Sequence, residues 1–279
     1  MNEIMKMEHV SLAFSTVKAL DDLNFTVQAG EIFGFLGPSG AGKTTTMKLL
    51  SGQLRQDEGI VQVFQKNVKN NDHDLYAQIG ILSDNSGLYD NLSVYENLKL
   101  FADIRHLKKA NIKEVLAKLK LEGQEKKLVK KLSRGMRQRL MFATVILHKP
   151  RLLFLDEPTS ALDPATSEAV HKIILDLNKE GTTIFLTTHN MEEADKLCDR
   201  VAFLHQGHIM ECGNPQELKV KYANNCICIQ TNQGDMIQTT KDKKELISIL
   251  SKMDNEILTI HSVEPDLKTI FLNITGREL

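Results

Sequence analysis

Along 279 residues, 35 basic side chains face 36 acidic ones, and so balanced a chain has no electrostatic footprint for nucleic acid as a general partner. At 42% hydrophobic and 25% charged it is ordinary globular material, long enough for one large domain or a large domain with a small appendage. No apolar run reaches the ~18 residues that crossing a bilayer requires, and the charged start lacks the apolar stretch of a secretory signal. A soluble chain is expected, one that relies on another chain for any transmembrane path.

The first elements expected are short strands: Thr26 and Val27 lead to a turn at Gly30, and residues 31–36 make an apolar strand. A glycine-rich loop follows, then a helix over Lys43–Leu50 that ends near Gly52. Residues 92–147 carry helical periodicity with lysines on the wet face. Strand patterns return at 152–155 and 183–187. Between them Asp163 suits an N-cap, Pro164 the first helical position, and Gly181 follows the helix end. Val170, Ile173, Ile174 and Leu177 make one apolar stripe on that helix. Buried strands alternating with such helices predict an α/β fold around a largely parallel sheet.

After Leu218 the character changes. Residues 226–230 and 236–240 predict a hairpin around Asn232, Gln233 and Gly234, followed by a helix over 243–253, a strand and a helix from Pro265. These define a small α+β unit over 219–279, apart from a main domain over 1–218. The cysteines, Cys198, Cys212, Cys226 and Cys228, match neither a disulfide framework nor a zinc-finger spacing and read as reduced thiols. His205, His208 and Cys212 resemble a metal cluster in spacing alone; Gln206 and Gly207 between apolar flanks read as a hairpin turn instead.

Chemistry concentrates in three places. Gly37, Pro38, Ser39, Gly40, Ala41, Gly42, Lys43 and Thr44, with Thr45 beyond them, follow a strand and open a helix in the pattern G-x-x-x-x-G-K-[ST]. Glycines let successive N–H groups point inward and let phosphate come close. The helix start adds its positive dipole end. Lys43 supplies charge to the β- and γ-phosphates, and the Thr44 hydroxyl suits Mg²⁺. From average residue usage, the bare pattern arises by accident in on the order of one chain in a hundred.

Asp156 ends the strand at 152–155 and Glu157 follows it. Ligands gather at the carboxyl ends of parallel strands. There Asp156 is placed to hold magnesium, and Glu157 to polarise a water for attack on the γ-phosphate. His189, just past the strand at 183–187, is placed to meet the γ-phosphate or that water. The third place is the turn before the helix that reaches Leu147, where Ser133 can cap and Gly135 leaves room for phosphate.

In this order the motifs resemble the ATP-binding cassette family. Residues 37–44 look like its Walker A motif, 132–138 its signature, and 152–157 its Walker B. Ser160, Ala161, Leu162 and Asp163 resemble the D-loop, and His189 the switch histidine. The resemblance covers about residues 5–218. It implies a P-loop NTPase core with an antiparallel β subdomain and a helical subdomain at about 86–149. Two cassettes would meet head to tail, each ATP lying between one chain's phosphate loop and the other's Ser133 and Gly135. Phe14 matches the aromatic that stacks on adenine, core burial being the alternative for such a residue. Asp84 falls where the family usually has a glutamine that reaches magnesium. An acid there can still ligate Mg²⁺, at the cost of repulsion near the γ-phosphate.

The signature's Ser133-Arg134-Gly135-Met136-Arg137-Gln138, with residues 87–98 and 264–276, is similar to the exporter branch that handles drugs, bacteriocins, sodium or lipid-linked cargo. This implies a cytoplasmic subunit held to the inner face of the membrane by a separate permease. Leu88 and Tyr89 are candidates to dock that permease. A second, identical cassette is the expected partner, with no nucleic acid and no metal beyond the nucleotide's Mg²⁺. The competing class is a cassette ATPase with a regulatory, nucleic-acid or ribosomal role. Such relatives commonly pair cassettes in one chain or carry large insertions, and neither is present.

Overall fold

The computed structural model describes residues 2–68, 73–83, 87–160, 162–253 and 256–276. These divide into two compact units, the first ending at Cys212 and the second starting at Gly213.

In the first unit β1 (Glu3–Phe14) and β2 (Val17–Gln28) pair as a long antiparallel hairpin. β3 (Ile32–Leu36) runs into α1 (Lys43–Leu50). β4 (Glu58–Val63) and β5 (Lys66–Asn67) then return to the hairpin, giving an antiparallel sheet in the order β2-β1-β4-β5. Of β2, only the end is legible as a strand in the sequence. The reason is a change of parity in both strands. Met5 and Met7 face inward, then Val10 and Leu12; Leu20 faces inward, then Leu23, Phe25 and Val27. Between the sets sit His9 at φ 50 and Asp22 at φ 52. Each bulged residue resets the two-residue period by one.

After α2 (His73–Tyr76) and β6 (Ile79–Leu82) come three longer helices, α3 (Val94–Ile104), α4 (Lys109–Lys118) and α5 (Arg134–Ile146). A reciprocal cap starts α3: the Ser93 hydroxyl accepts from Glu96 N at 3.2 Å, and the Glu96 carboxylate accepts from Ser93 N at 2.7 Å. The chain between α4 and α5 lies along the entry to α3. Val94 N donates to Lys127 O at 3.0 Å, Val129 N to Leu92 O at 3.0 Å, and Lys130 N to Asp90 O at 3.1 Å. Main chain is thus bonded to main chain from Asp90 as far as Leu132, the residue before Ser133.

β7 (Leu152–Asp156), α6 (Pro164–Lys179), β8 (Thr183–Thr188), α7 (Met191–Leu197), β9 (Arg200–His205) and β10 (His208–Gly213) complete a second sheet in the order β10-β9-β3-β8-β7-β6. From β6 to β9 every pairing is parallel. β3, β7 and β8 are buried throughout, as strands covered on both faces must be. Phe25 reaches across from the antiparallel sheet and stacks on Phe33 at 5.5 Å between centroids. Phe35, Phe154 and Phe185 extend the cluster. The turn joining β9 to β10 has Gln206 at φ 47 and Gly207 at φ 81, the pair of left-handed residues of a tight hairpin.

The second unit holds α8 (Pro215–Lys221), β11 (Cys226–Thr231), β12 (Met236–Thr240), α9 (Lys243–Leu250), β13 (Ile257–Ser262) and α10 (Leu267–Thr275). Its antiparallel sheet has the order β12-β11-β13. The unit begins before the break expected at Leu218 because α8 packs within it, against α10. α10 starts at Leu267 because Asp266 caps it, its carboxylate accepting from Thr269 N at 2.7 Å. Among the described residues no helix is long and apolar enough to cross a membrane, and no group of His, Cys, Asp and Glu is gathered as metal ligands.

Candidate active site

The loop leaving β3 is built where side chains cannot go. A Cβ on Gly37 would lie 2.3 Å from the Leu204 carbonyl oxygen, and one on Gly42, at φ 113, would lie 2.8 Å from the Ala19 oxygen. Lys43 opens α1 and is only 7% exposed. Its ammonium folds back over the loop, donating to Gly37 O at 2.7 Å and Pro38 O at 3.2 Å. It also stands 3.5 Å from Glu157 Oε1. Ser39, Gly40 and Thr44 are exposed, Ala41 is buried, and Pro38 and Thr45 are half-buried.

Asp156 lies at the end of β7, paired in register with Thr187 of β8. Its Oδ2 accepts from the Thr44 hydroxyl at 3.0 Å, and its Oδ1 accepts from the Thr187 hydroxyl. Glu157 turns back at φ 49, a left-handed backbone that costs a non-glycine residue about 1–2 kcal/mol. Its N–H donates to Thr187 O at 2.9 Å. The turn aims the side chain at Lys43 on one side and at His189 on the other, with His189 Nδ1 2.7 Å from Oε2. A carboxylate only accepts, so Nδ1 carries the hydrogen and Nε2 is left for a ligand. The parallel sheet therefore gathers Lys43, Thr44, Asp156, Glu157 and His189 at one set of strand ends.

Ser133, Gly135 and Asp163 come together elsewhere. Ser133 Oγ accepts from Met136 N at 3.3 Å and caps α5. That bond uses a lone pair and leaves the hydroxyl hydrogen to donate. Asp163 accepts from Thr166 N at 3.0 Å and from the Thr166 hydroxyl at 2.7 Å, and caps α6. The hydroxyl bond first, and the backbone bond second, hold its carboxyl below the ordinary range. A Cβ on Gly135 would meet Thr166 Oγ1 at 3.2 Å, so the starts of α5 and α6 lie side by side. The two groups are joined through the chain after Glu157: Gln138 Nε2 donates to Pro158 O at 2.9 Å.

Phe14 is 51% exposed at the tip of the β1–β2 hairpin, which removes the core reading and leaves its ring face available. Asp84 lies outside the described residues, as does Ala161. Tyr89 is 56% exposed, and its main chain is clamped by buried Asn97, which accepts from Tyr89 N at 2.9 Å and donates to Tyr89 O at 3.1 Å. Sequence reasoning passed over Thr187. Its signal was present as a pair of hydroxyl residues, Thr187 and Thr188, ending an otherwise apolar buried strand.

Fold and cluster define a P-loop nucleotide hydrolase, and comparison with known proteins is more specific. Residues 20–160 match the family model described as ABC transporter. The chain is 41% identical over 269 residues to the fluoroquinolones export ATP-binding protein of Mycobacterium tuberculosis, across 94% of this chain and 89% of that one. It is 40% identical over 213 residues to the bacitracin transport ATP-binding protein BcrA of Bacillus licheniformis, across 76% of this chain and 70% of that one. Among solved structures, cbiO1 from Clostridium perfringens, part of the ABC transporter complex cbiONQ, matches with a TM-score of 0.73 at 28% identity, over 79% of this chain and 92% of that one. The chain belongs to the ABC transporter family: it is an ATP-binding subunit and an ATPase.

Proposed function

We propose that this chain powers an exporter, hydrolysing ATP–Mg²⁺ in a head-to-tail pair with a second copy and driving a separate permease at the inner face of the membrane. The observation that carries this reading is the division of the site into two groups. One collects phosphate-binding and hydrolytic side chains; the other presents the α5 start, the Ser133 donor and Gly135 outward with only local bonds. Relatives named for fluoroquinolone export and bacitracin transport point to drug-like or peptide cargo. Tyr89 beside Leu88 is the docking point for the permease.

In this reading the loop N–H groups from Gly37 to Thr45 cradle the phosphates, Lys43 neutralises the β- and γ-phosphates, and Phe14 stacks on adenine. Thr44 and Asp156, whose oxygens already converge at 3.0 Å, are the hard oxygen donors that Mg²⁺ prefers, joined by Asp84. Magnesium, when bound by these residues, would supply charge that neutralises the phosphates. An arriving γ-phosphate gives Lys43 a stronger partner than Glu157. The freed carboxylate then takes a proton from the attacking water as the water oxygen bonds to the γ-phosphorus and the bond to the β–γ bridging oxygen breaks, releasing ADP, while His189 Nε2 faces the γ-phosphate. Ser133 and Gly135 of the second copy close the site, and Asp163 lies at the seam.

The test is ATP turnover by purified wild type beside Glu157→Gln, with molecular mass measured with and without ATP. Expected are hydrolysis by wild type and, in the variant, retained ATP binding, turnover lower by about 10²–10⁴-fold and an ATP-held dimer. ATP binding by wild type without hydrolysis or dimerisation overturns the reading.

A further inference from the structure

One buried acid has no part in the mechanism above. Glu193, in the first turn of α7, is 2% exposed. Its Oε1 accepts from the Thr159 hydroxyl at 2.7 Å and pairs with His171 Nε2 at 3.1 Å. Its Oε2 has no hydrogen-bond partner among the described residues. A half-satisfied buried carboxylate is a poor device for stability, and a hydrophobic residue would serve a plain core better.

The three segments that meet at this carboxylate explain its presence. Thr159 stands two residues beyond Glu157. His171 belongs to α6, the helix that Asp163 caps. Glu193 sits four residues beyond His189, its N–H held by the capping Asn190 side chain at 3.2 Å. Glu168 and Lys196 form a second ion pair between the same two helices. Pro158 and Thr159 are thus held from two helices: Gln138 of α5 holds the Pro158 carbonyl, and Glu193 of α7 holds the Thr159 hydroxyl. Between this grip and β7 lies Glu157, in a backbone state that a glutamate leaves unless its neighbours prevent it.

We infer that Glu193 is a positioning residue for hydrolysis: through Thr159 and His171 it locks the Glu157 turn, the Asp163 segment and the His189 strand end into one geometry. The inference rests on the proposed role of Glu157. The requirement is an acceptor oxygen at this point; the negative charge itself is dispensable.

The experiment compares Thr159→Val, Glu193→Ala and Glu193→Gln with wild type, measuring kcat, KM for ATP and the unfolding midpoint. Thr159→Val removes one hydroxyl at nearly constant volume, so it carries the test even if Glu193→Ala does not fold. Expected for Thr159→Val is a kcat lower by about 10- to 100-fold, from a catalytic group misplaced by about an ångström, with KM within about twofold. Glu193→Gln keeps an acceptor for Thr159 and is expected to stay within about threefold of wild type in kcat. Adding Thr159→Val to a folded Glu193→Ala protein should cost little more, because both break one contact. A Thr159→Val protein with wild-type kcat, or one whose activity falls only with its folded fraction, overturns the inference while leaving the proposed function intact. A wild-type protein that does not hydrolyse ATP overturns both.

Discussion

The phosphate-loop group and the signature group differ in how their polar atoms are satisfied. Lys43, Asp156, Glu157 and His189 bond to loop carbonyls, to the hydroxyls of Thr44 and Thr187, and to one another. In the proposed role, nucleotide would displace existing contacts there and enter a network already aimed. Ser133 and Asp163 bond only to the backbone or side chains of their own helix starts, and both remain exposed. The first group satisfies its polar atoms across several elements, whereas the second satisfies its own locally and stays exposed.

The largest effect that can break this comparison is the loss of hydrolysis in Glu157→Gln with ATP binding kept. Next is Lys43→Ala. Removing a charged donor to phosphate is expected to weaken ATP binding by roughly 10- to 100-fold in a nucleotide titration. Mixing that variant with Gly135→Glu, at an ATP concentration where each alone turns over far more slowly than wild type, is expected to raise ATPase activity above either alone, because a mixed pair still contains one intact loop opposite one intact signature. No recovery on mixing would mean that the two groups do not meet between copies. Phe14→Ala is a smaller change. Losing an aromatic stack worth about 0.5–1.5 kcal/mol raises KM for ATP by roughly 2- to 12-fold and leaves kcat unaltered.

A separate effect, on stability and not on turnover, lies at the far end of the signature helix. His148, one residue past the C-cap of α5, bonds through Nε2 to Ile79 O of β6 at 2.8 Å. Burial first, and the charge of Arg105 second, lower its pKa from 6.5 to about 4. Below pH 6.5 the unfolded chain takes up a proton that the folded chain refuses until about pH 4. Stability contributed by the neutral ring is thus present above that window and lost on acidification through it, with a slope of up to ~1.4 kcal/mol per pH unit. His148→Gln is expected to flatten this slope in urea titrations at pH 7 and pH 5. An unchanged slope would show that the ring is not the titrating group.

Much of the first group was legible because its parts are contiguous in sequence. The loop from Gly37 to Thr44 is one run, and β7 and β8 announce themselves as apolar segments that end in polar residues. What stayed hidden depends on distant packing. The bulges at His9 and Asp22 concealed the alternation of β1 and β2. Phe14 read equally as core or surface until the hairpin put it at a tip. Glu193 was invisible among Glu192, Glu193 and Asp195, which together look like a solvated acidic face. Only the packing of α7 against α6 and Thr159 buries Glu193, while Asp195 is half-buried and Glu192 stays exposed.

The main-chain ladder between residues 90–95 and 125–130 has a consequence for which side chains can be exchanged. The ladder joins the chain beside Tyr89 to the segment that leads into Ser133 through peptide groups, with the Asp90–Arg137 ion pair at 2.6 Å running in parallel. Because backbone bonds do not depend on side-chain identity, the exposed Tyr89 side chain is free to vary while the linkage behind it persists. The outer face works as an exchangeable fitting on a fixed rod. Under the proposed docking role, exchanging Tyr89 alone is the substitution expected to alter the fit to a permease while ATP turnover by the isolated subunit stays unchanged.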